Sequence, residues 1–506
     1  MVSNYRKLFQ KDYEKLVLEL EKLTILTKEQ NNIIKTLNAT VNNMNDLLVS
    51  KDEEIKKLIL EIQRLKNNND KDSTNSGKPS SKNGFKKIKN SREKTNRKQG
   101  GQKGHKGSTA SVSKIKQLID SGNVKHDVID INKTNKNKDK PYISRYIQDI
   151  EITTVVKEYR YYPDELGEYN IPKSQNNVVT YGNELKAVFM LLVHRVPASM
   201  DQSVDFIKAI TNGVFNITKA TLVNWSKTLS DNLDPFIEEI LQELYNAYYV
   251  HTDESPINIS GKNYQLHNYS NKEYTLQYVH KNKSKEAMIE IGFLNNYLGT
   301  LIHDHNRVQY NFGINHGECN VHILRYLKGI EDFTKHKWAK EMSKLLKDIL
   351  YQKKLLQEKG IDFFNREKIE RYSKEYDKII KRGTKEYQYD YDTNAYEDEE
   401  RKLIIRLEDY KENHLLFIYD FNIPFSNNRA ETDIRPVKRK LNVGIFRSKV
   451  GAEYYLKIRS FISTLLKNNR NVFQAIRDAF DGKLITLKLK GNWILPFGFS
   501  IRTSEL

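Results

Sequence analysis

Cysteine is almost missing from this sequence, because Cys319 is the single one among 506 residues. A lone thiol excludes an internal disulfide framework and any zinc site built from several cysteines, and it fits a reducing compartment. Long apolar runs are missing as well, since the run from Ala187 to Val193 is far shorter than the roughly 20 residues that span a membrane. Charged residues appear soon after the N-terminus, so we expect no secretory signal and a cytoplasmic protein.

Basic side chains outnumber acidic ones. The chain has 84 Lys and Arg against 65 Asp and Glu, which gives a net charge of +19. Such a surplus is typical of proteins that bind nucleic acid, although a solvated basic surface has the same composition. Hydrophobic residues make up 38% of the 506 positions, enough to build cores, and ordinary domains have roughly 100–200 residues. We therefore expect several domains and a polyanionic partner.

An apolar seam with heptad spacing runs through residues 9–65. A 3.5-residue period of this length predicts a coiled coil over residues 1–67, and therefore self-association. The alternative is a single amphipathic helix that packs on the body of its own chain. The polar positions of the seam are Thr27, Gln30 and Lys51, and its apolar positions are Phe9, Tyr13, Leu16, Leu20, Leu23, Ile34, Leu37, Val41, Met44, Leu48, Ile55, Leu58, Ile62 and Leu65.

Residues 68–112 form a second segment, a linker that is rich in glycine and strongly basic. Between residues 71 and 110, twelve Lys or Arg stand against two acids, a net charge of +10. Such a segment cannot bury a core, and its charge would release counterions from DNA phosphates. A solvated linker is the alternative. The side chains expected to contact DNA are Lys86, Lys87, Lys89, Arg92, Arg97, Lys98, Lys103, His105 and Lys106.

Residues 113–176 have the pattern of a small unit that contains strands. Apolar and polar residues alternate at Lys125–Ile131 and at Ile150–Tyr162, and such alternation predicts half-buried strands.

Residues 177–245 have a helical pattern. Within them, the segment Gly213–Trp225 combines a turn with a short helix that Thr218 is placed to cap. This pattern suits a helix-turn-helix whose second helix enters the major groove of DNA, and it suits a plain helical hairpin equally well.

From residue 246 the pattern changes to strands, which predicts an α/β catalytic core over residues 246–470. A helical and highly charged stretch at about 318–418 indicates an all-helical insertion, and residues 471–506 form a C-terminal segment. Three strands, a helix and a fourth strand resemble the opening of a ribonuclease H-like fold. In chain order these elements are expected at Ala247–Asp253, Tyr264–Tyr269, Tyr274–His280, Ser284–Tyr297 and Gly299–Asp304.

Asp253 and Asp304 each end a predicted strand. Side chains at strand ends project into the crevice beyond the sheet, where ligands usually bind. Two carboxylates that converge there need a counter-ion, and Mg²⁺ takes oxygen ligands while it keeps positions open for water. Two such ions, about 4 Å apart, can hold the attacking and leaving oxygens of a phosphodiester. Either aspartate alone is also compatible with a helix cap or a surface charge.

The third carboxylate is expected from a helix that starts near Ser426, a residue able to cap it. Asn427, Glu431 and Arg435 recur at i, i+4 and i+8 and share one helix face. That face predicts an amide, a carboxylate and a guanidinium directed at the crevice. Asp433 lies on another face and is the weaker candidate.

The same helix contains Pro436, which we expect to limit or kink it. A basic run follows and is placed for phosphate contacts. It consists of Lys438, Arg439 and Lys440.

Six sequence blocks, in order along most of the chain, resemble transposases of the insertion sequence 66 (IS66) family. The blocks are NSGKPSSKNG, RKQGGQKGHKGST, HTDESP, LIHDHNRVQYN, GECNVHILRYL and SNNRAETDIRPVKRKLNVGIFRSKVGAE. The resemblance implies a catalytic Asp-Asp-Glu triad of Asp253, Asp304 and Glu431 that binds Mg²⁺ or Mn²⁺, with two ions per site. It also implies strand cleavage at the ends of an insertion sequence and strand transfer into target DNA.

The sequence departs from the family pattern in two places. Residues 113–176 contain no cysteine where family members usually have a zinc-binding unit, so we do not expect zinc there. His305, Asn306 and Arg307 follow Asp304 in place of the more usual Asp-Gly-Tyr. The second departure changes the expected contacts around Asp304 and leaves the aspartate itself in place.

Cys319 and His322 lie one turn apart on a predicted helix and share a face. A zinc site would need more ligands than this pair, so we expect a structural role or a role close to the site. In this interpretation His322, Asn427 and Arg435 support the three carboxylates without being metal ligands themselves.

The resulting hypothesis is a bacterial transposase, associated with the nucleoid when bound to DNA. Its expected partners are the terminal inverted repeats, the target DNA and further copies of itself in a homodimer or a higher synaptic complex. Helper proteins of the same element are additional candidate partners, and no membrane partner is expected. The alternative is a catalytically inactive, transposase-derived DNA-binding protein that keeps the basic linker and the coiled coil.

Overall fold

The computed structural model describes residues 2–78, 111–131, 133, 135, 138–172, 177–389 and 394–486. The chain divides into two compact units. The first contains residues 1–88 and 317–425, and the second contains residues 89–316 and 426–506. No helix in the described ranges is both long enough and apolar enough to cross a membrane.

The first unit begins with α1, an uninterrupted helix of 69 residues from Val2 to Asp70. Neither proline nor glycine occurs in this segment, and at 1.5 Å per residue the helix extends about 100 Å. The seam side chains are exposed, with exposed fractions of 57% at Leu37 and 60% at Leu48. The alternative in which the seam packs on the body of its own chain is therefore wrong, and the pairing of two such helices stays a prediction.

The described residues after the basic linker begin with a helix, α2 (Val112–Asp120). The strands expected at Lys125–Ile131 and Ile150–Tyr162 are wrong, because the described part of residues 111–172 contains no strand. Apolar side chains of this segment are exposed, with 96% exposure at Val156. Alternation predicts a strand only where a neighbouring strand pairs with it and a core covers one face, and neither is present among these residues.

Four helices lie in the region expected to be helical, 177–245. A π-helical turn, Leu191–Arg195, continues its first helix. Thr218 caps the third helix as predicted, because its hydroxyl accepts a hydrogen bond from the backbone N–H of Thr221. The helix-turn-helix and the plain hairpin both remain open. The helices are α3 (Asn183–Met190), α4 (Met200–Ile210), α5 (Lys219–Asn232) and α6 (Asp234–Tyr245).

A five-stranded sheet follows, with the strand order β3-β2-β1-β4-β5. Strands β1, β2 and β3 are antiparallel neighbours, and β4 pairs with β1 in parallel. Three strands, a helical stretch and a fourth strand were predicted in this order, whereas β5 was not. The elements are β1 (Tyr249–Ile259), β2 (Lys262–Ser270), β3 (Thr275–His280), α7 (Lys285–Ile291), α8 (Phe293–Asn296), β4 (Thr300–His303), a 3₁₀-helix (Arg307–Asn311) and β5 (Asn315–Glu318).

Strand β1 continues well past Asp253, so the expectation that this residue ends a strand is wrong. The second half of β1 pairs with β2 as far as Ile259, where Gly261 closes the hairpin with a φ of +80°. Pro256 lacks an N–H group, so the sequence alone suggests that the strand ends before it. Proline is tolerated here because β4 pairs with β1 only at Tyr249–His251, and β4 therefore needs no hydrogen bond from position 256.

The described residues of the stretch expected as an all-helical insertion form five helices, which belong to the first unit with α1. Two of these helices share a buried partner: Glu318 accepts a hydrogen bond from Arg406 Nη2 at 2.6 Å and lies 2.9 Å from His414 Nε2. Loss of one partner would leave a buried charge uncompensated. The helices are α9 (Asn320–Phe333), α10 (Lys337–Glu358), α11 (Arg366–Tyr389), α12 (Glu397–Asp409) and α13 (Lys411–Tyr419).

Three helices complete the second unit: α14 (Asn428–Val443), α15 (Lys449–Lys467) and α16 (Val472–Ala479). Helix α15 lies along β3, where the backbone N–H groups of Thr275 and Gln277 donate to the hydroxyls of Thr464 and Ser460 at 3.1 and 3.0 Å. Phe461 on the same helix is fully buried, and such burial contributes about 1.5–3 kcal/mol. Residues 487–506 lie outside the described residues.

Candidate active site

Asp253 lies on β1, and Asp304 directly follows the neighbouring strand β4. These strands pair in parallel with His251 opposite Ile302. Two residues further on, the same register brings Asp253 opposite Asp304, which directly follows the last residue of β4. Neighbouring strands are about 4.8 Å apart, and residues two positions apart share a face. The register therefore assigns both carboxylates to one face of the sheet, where β4 ends.

Asn427 attaches the start of α14 to the same strand. Its Oδ1 lies 2.9 Å from His251 Nδ1, and its Nδ2 donates to the backbone carbonyl of Thr252 at 2.8 Å. Only 2% of Asn427 is exposed. Asn427 rather than Ser426 is the N-cap residue of α14, and its side chain makes no capping bond because β1 uses both ends of the amide. The expectation that Ser426 caps the helix is therefore wrong.

Glu431 lies one turn after Asn427 on α14, so both side chains share the helix face on which Asn427 contacts β1. Arg435 Nη2 lies 3.4 Å from Glu431 Oε2, and both side chains are partly exposed. An exposed pair at this spacing contributes only about 0.3–0.5 kcal/mol. The arginine therefore does not bind the carboxylate strongly enough to prevent it from taking another cation.

The electrostatics of the site are those of crowded carboxylates. Burial, followed by the negative charges of Asp304, Glu254 and Glu431, raises the pKa of Asp253 well above its usual value. Burial also lowers the pKa of His251 to about 4, so this imidazole adds no positive charge near neutral pH. A group of like charges of this kind favours a bound cation over bare ionised carboxylates.

Lys438 reaches from α14 to β1, where its Nζ donates to the backbone carbonyl of Pro256 at 3.1 Å. Burial lowers the pKa of Lys438, and the negative charge of Asp253 acts in the opposite direction. The positive charge of Lys438 and the carboxylate of Asp253 thus attract each other. Arg439 is exposed, and the half-buried Lys440 lies 3.4 Å from the carbonyl of Gly444. Phosphate contacts of this basic run stay a prediction.

Pro436 does not limit α14, which continues to Val443, so that part of the expectation is wrong. The fixed φ of proline is compatible with a helix, and the residue removes only the hydrogen bond to the carbonyl four positions earlier. Continuation of the helix past Pro436 is what carries Lys438 back over β1.

Asp433 faces away from this group, as the sequence predicted. Its carboxylate lies 2.7 Å from Lys467 Nζ on α15, and its backbone carbonyl accepts a hydrogen bond from Gln277. Burial lowers the pKa of Lys467 to about 8, although the charge of Asp433 opposes this shift. Asp433 therefore joins α14 to α15 and the sheet.

Sequence reasoning missed Glu254, the buried neighbour of Asp253 on β1. Its two carboxylate oxygens accept hydrogen bonds from Gln309 Nε2 at 2.6 Å and Asn306 Nδ2 at 3.0 Å. Burial raises the pKa of Glu254, and both hydrogen bonds counteract that shift. A second carboxylate directly after Asp253 was the signal available in the sequence. Asn306 stands in the stretch where the family pattern was interrupted, and Gln309 follows two residues after that stretch.

Two further candidates, Cys319 and His322, lie on the first unit. Cys319 is buried at the start of α9, and His322 Nε2 lies 3.1 Å from Arg325 Nη1 on the same helix. Both belong to the first unit, so the supporting role of His322 stays a prediction. The nine basic-linker residues between positions 86 and 106 lie outside the described residues.

Comparison with known proteins gives one finding. The model of a family described as "Transposase IS66 family" matches residues 180–454, more than half of the chain. The match contains Asp253, Asp304 and Glu431, together with the five helices of the insertion. A search of curated proteins finds no match.

Proposed function

Since the chain belongs to the IS66 family of transposases, we propose that it cleaves DNA at the ends of an insertion sequence and joins them to target DNA through Asp253, Asp304 and Glu431. Family membership makes it a DNA-processing protein. The proposed core is ribonuclease H-like, and the order of three antiparallel strands, a helical stretch and a parallel fourth strand supports that fold.

One observation carries the assignment of the three carboxylates. Asn427 fixes the first turn of α14 to β1 at His251 and Thr252, directly before Asp253. Glu431, one turn later, is consequently near enough to raise the pKa of Asp253. The register of β1 and β4, continued two residues past its last pair, supports the inclusion of Asp304 in the same group.

The donor set fits a divalent cation. Transposases of this family generally use divalent metals, and three carboxylates offer only oxygen ligands, which Mg²⁺ and Mn²⁺ prefer. Burial, followed by the negative charges of Asp304, Glu254 and Glu431, raises the pKa of Asp253, and a bound cation would favour its ionised form. We assign two ions to each site, held by Asp253, Asp304 and Glu431. When bound, they would supply Lewis-acid stabilisation of the attacking and leaving oxygens of a phosphodiester.

The reaction consists of two displacements at phosphorus. Water attacks a phosphodiester at the end of the element, the bond from phosphorus to the 3′-oxygen breaks, and a 3′-hydroxyl is freed. That hydroxyl then attacks a phosphodiester of the target, which releases a 3′-hydroxyl of the target strand. In this scheme Asn427 orients Glu431, and Arg435 and Lys438 provide positive charge for the phosphate. His251 stays neutral, because its pKa is about 4.

DNA is the partner that the family implies. We assign phosphate contacts to the basic linker, with its net charge of +10 between residues 71 and 110, and to Lys438, Arg439 and Lys440. Such contacts are independent of base sequence and fix the protein on the duplex. Recognition of bases belongs to another part of the chain, for which α5 is the candidate if α4 and α5 form a helix-turn-helix.

Self-association is assigned to α1. Transposition brings two DNA ends together, and the exposed seam of α1 offers an apolar stripe to a second chain. One set of seam positions contains Ile34, Val41, Ile55 and Ile62, while the alternate set is rich in leucine. This distribution favours a parallel two-stranded coiled coil. The protein would then be a homodimer before it binds DNA.

The decisive experiment for the activity is nicking of a terminal inverted repeat by the purified chain with Mg²⁺. We expect nicking by the wild type and none by Asp253→Asn, with DNA binding preserved in both. Absence of nicking by the wild type, together with retained DNA binding, would favour the catalytically inactive DNA-binding protein instead.

A further inference from the structure

Glu254 lies on the face of β1 opposite Asp253, because consecutive residues of a strand point to opposite faces. Thr252 shares the face of Glu254. Both residues bind the same side chain, Gln309 of the 3₁₀-helix: Gln309 Nε2 donates to Glu254 at 2.6 Å, and the hydroxyl of Thr252 donates to Gln309 Oε1. Gln309 is completely buried. The amide therefore bridges two alternate positions of β1.

A third contact attaches the loop itself. Asn306 Nδ2 donates to the second oxygen of Glu254 at 3.0 Å, while Asn306 Oδ1 accepts from the backbone N–H of Val308 at 3.1 Å. Asn306 thus caps the 3₁₀-helix and binds β1 at the same time. Through these bonds Glu254 holds both Asn306 and Gln309.

The bonds restrict the chain where it leaves Asp304. The next residue, His305, has a φ of +64°. A residue with a β-carbon adopts this left-handed conformation only at a cost, and it persists where surrounding structure enforces it. Asn306 follows immediately and is hydrogen-bonded to Glu254 on β1.

We propose that Thr252, Glu254, Asn306 and Gln309 form a clamp that positions Asp304, and that Glu254 is a positioning residue rather than a metal ligand. The inference rests on the proposed metal-binding role of Asp304. Side chains that orient a ligand in this way affect metal affinity by about 10- to 100-fold when they are replaced. The clamp would then influence metal affinity from the face of the sheet opposite Asp253, which carries none of the proposed metal ligands.

The donors and acceptors of the clamp allow a reciprocal test. Glu254→Gln keeps the shape of the side chain. Its new amide NH₂ faces one of the two NH₂ groups that donate to Glu254, those of Asn306 and Gln309, so that one hydrogen bond is lost. Combined with Gln309→Glu, the same change restores all three bonds. The new amide donates to the new carboxylate, Asn306 still donates to position 254, and Thr252 donates to position 309. In the double variant one carboxylate remains among positions 254 and 309, but it lies on the 3₁₀-helix instead of on β1.

The measurement is titration of the full-length, metal-free protein with Mn²⁺, followed by electron paramagnetic resonance of the free ion. We expect Glu254→Gln to bind Mn²⁺ about 10- to 100-fold more weakly and the double variant to recover most of that loss. Asn311→Ala is the matched control. It removes an exposed hydrogen bond within the same 3₁₀-helix, from Asn311 Nδ2 to the carbonyl of Val308, and should leave Mn²⁺ affinity unchanged.

Two results would overturn the clamp. Wild-type affinity in Glu254→Gln would show that the contacts do not position Asp304. A loss that the double variant fails to recover would make Glu254 a ligand in its own right. If Glu254→Gln does not fold, Thr252→Val takes its place, because it removes one donor at nearly constant volume. It must then weaken Mn²⁺ binding several-fold, and unchanged affinity refutes the clamp. Failure of the proposed function is distinct: the wild type would bind no Mn²⁺, or Asp253→Asn would bind it equally well.

Discussion

Replacement of Asn427 by alanine removes the connection between α14 and β1. Asn427 is 2% exposed and makes two hydrogen bonds, 2.9 Å to His251 Nδ1 and 2.8 Å to the carbonyl of Thr252. Both partners are buried. A buried polar group that loses its partner costs about 1–3 kcal/mol, so we expect Asn427→Ala to lower the free energy of unfolding by about 2–6 kcal/mol.

Urea unfolding with and without Mn²⁺ separates the two effects of this change. The metal-free variant should unfold at a lower urea concentration, and Mn²⁺ should stabilise it less than the wild type because Glu431 is no longer held beside Asp253. Asn427→Asp is a second, more conservative variant, since aspartate has the same shape but cannot donate a hydrogen bond to the carbonyl of Thr252. We expect it to lose at least one bond's contribution, about 1–3 kcal/mol.

Asn428→Ala provides the matched control, because Asn428 is the exposed neighbour on the same helix. Its free energy of unfolding should stay within about 0.5 kcal/mol of the wild type. If Asn427→Ala behaves like this control, in stability and in its response to Mn²⁺, the amide does not fix Glu431 and the reasoning for the third carboxylate fails.

Three further predictions concern other parts of the chain. Leu37→Asp with Leu48→Asp puts charges into the seam of α1, so sedimentation should change from dimer to monomer; a monomeric wild type at micromolar concentration would contradict the coiled coil. Deletion of residues 71–110 should weaken DNA binding and flatten its salt dependence, because fewer counterions are released; an unchanged slope makes the segment a spacer. Burial, with the positive charges of Arg459 and Lys440, lowers the pKa of His194 to about 3. The stability that depends on neutral His194 is therefore present above its usual pKa of 6.5 and decreases as the pH falls toward 3. Unfolding at several pH values should show a weaker acid dependence in His194→Gln, and equal curves would refute the shift.

Elements with a long and regular pattern could be predicted from the sequence. The heptad seam gave a helix over residues 9–65, and α1 spans all of it. Thr218 caps α5 as a local pattern of threonine before a helix predicts. Asp304 was correctly expected beside the end of β4, because the apolar run before it is short and ends at the aspartate. In each case neighbouring residues alone determine the structure.

The differences arise where distant residues compete with a local pattern. β2 extends β1 beyond Pro256, and no local sequence signal reveals that partner. Ser426 is a good cap by composition, but Asn427 takes the N-cap position and its amide binds β1 instead of the helix end. Glu254 was overlooked because its importance depends on Gln309, which is distant in sequence. The strands predicted from the alternation in residues 113–176 did not form, because among the described residues no other strand pairs with this segment and no core covers it.

The central claim is that Asp253, Asp304 and Glu431 share a metal site that carries out DNA cleavage. The most direct measurement is Mn²⁺ titration of wild type, Asp253→Asn, Asp304→Asn and Glu431→Gln, combined with nicking of a terminal inverted repeat by each protein. We expect about two ions per wild-type chain, loss of at least one ion and of nicking in every variant, and DNA affinity close to that of the wild type. A variant that retains full metal binding and nicking would contradict the claim for its residue, and loss of DNA binding in all three would make the carboxylates structural.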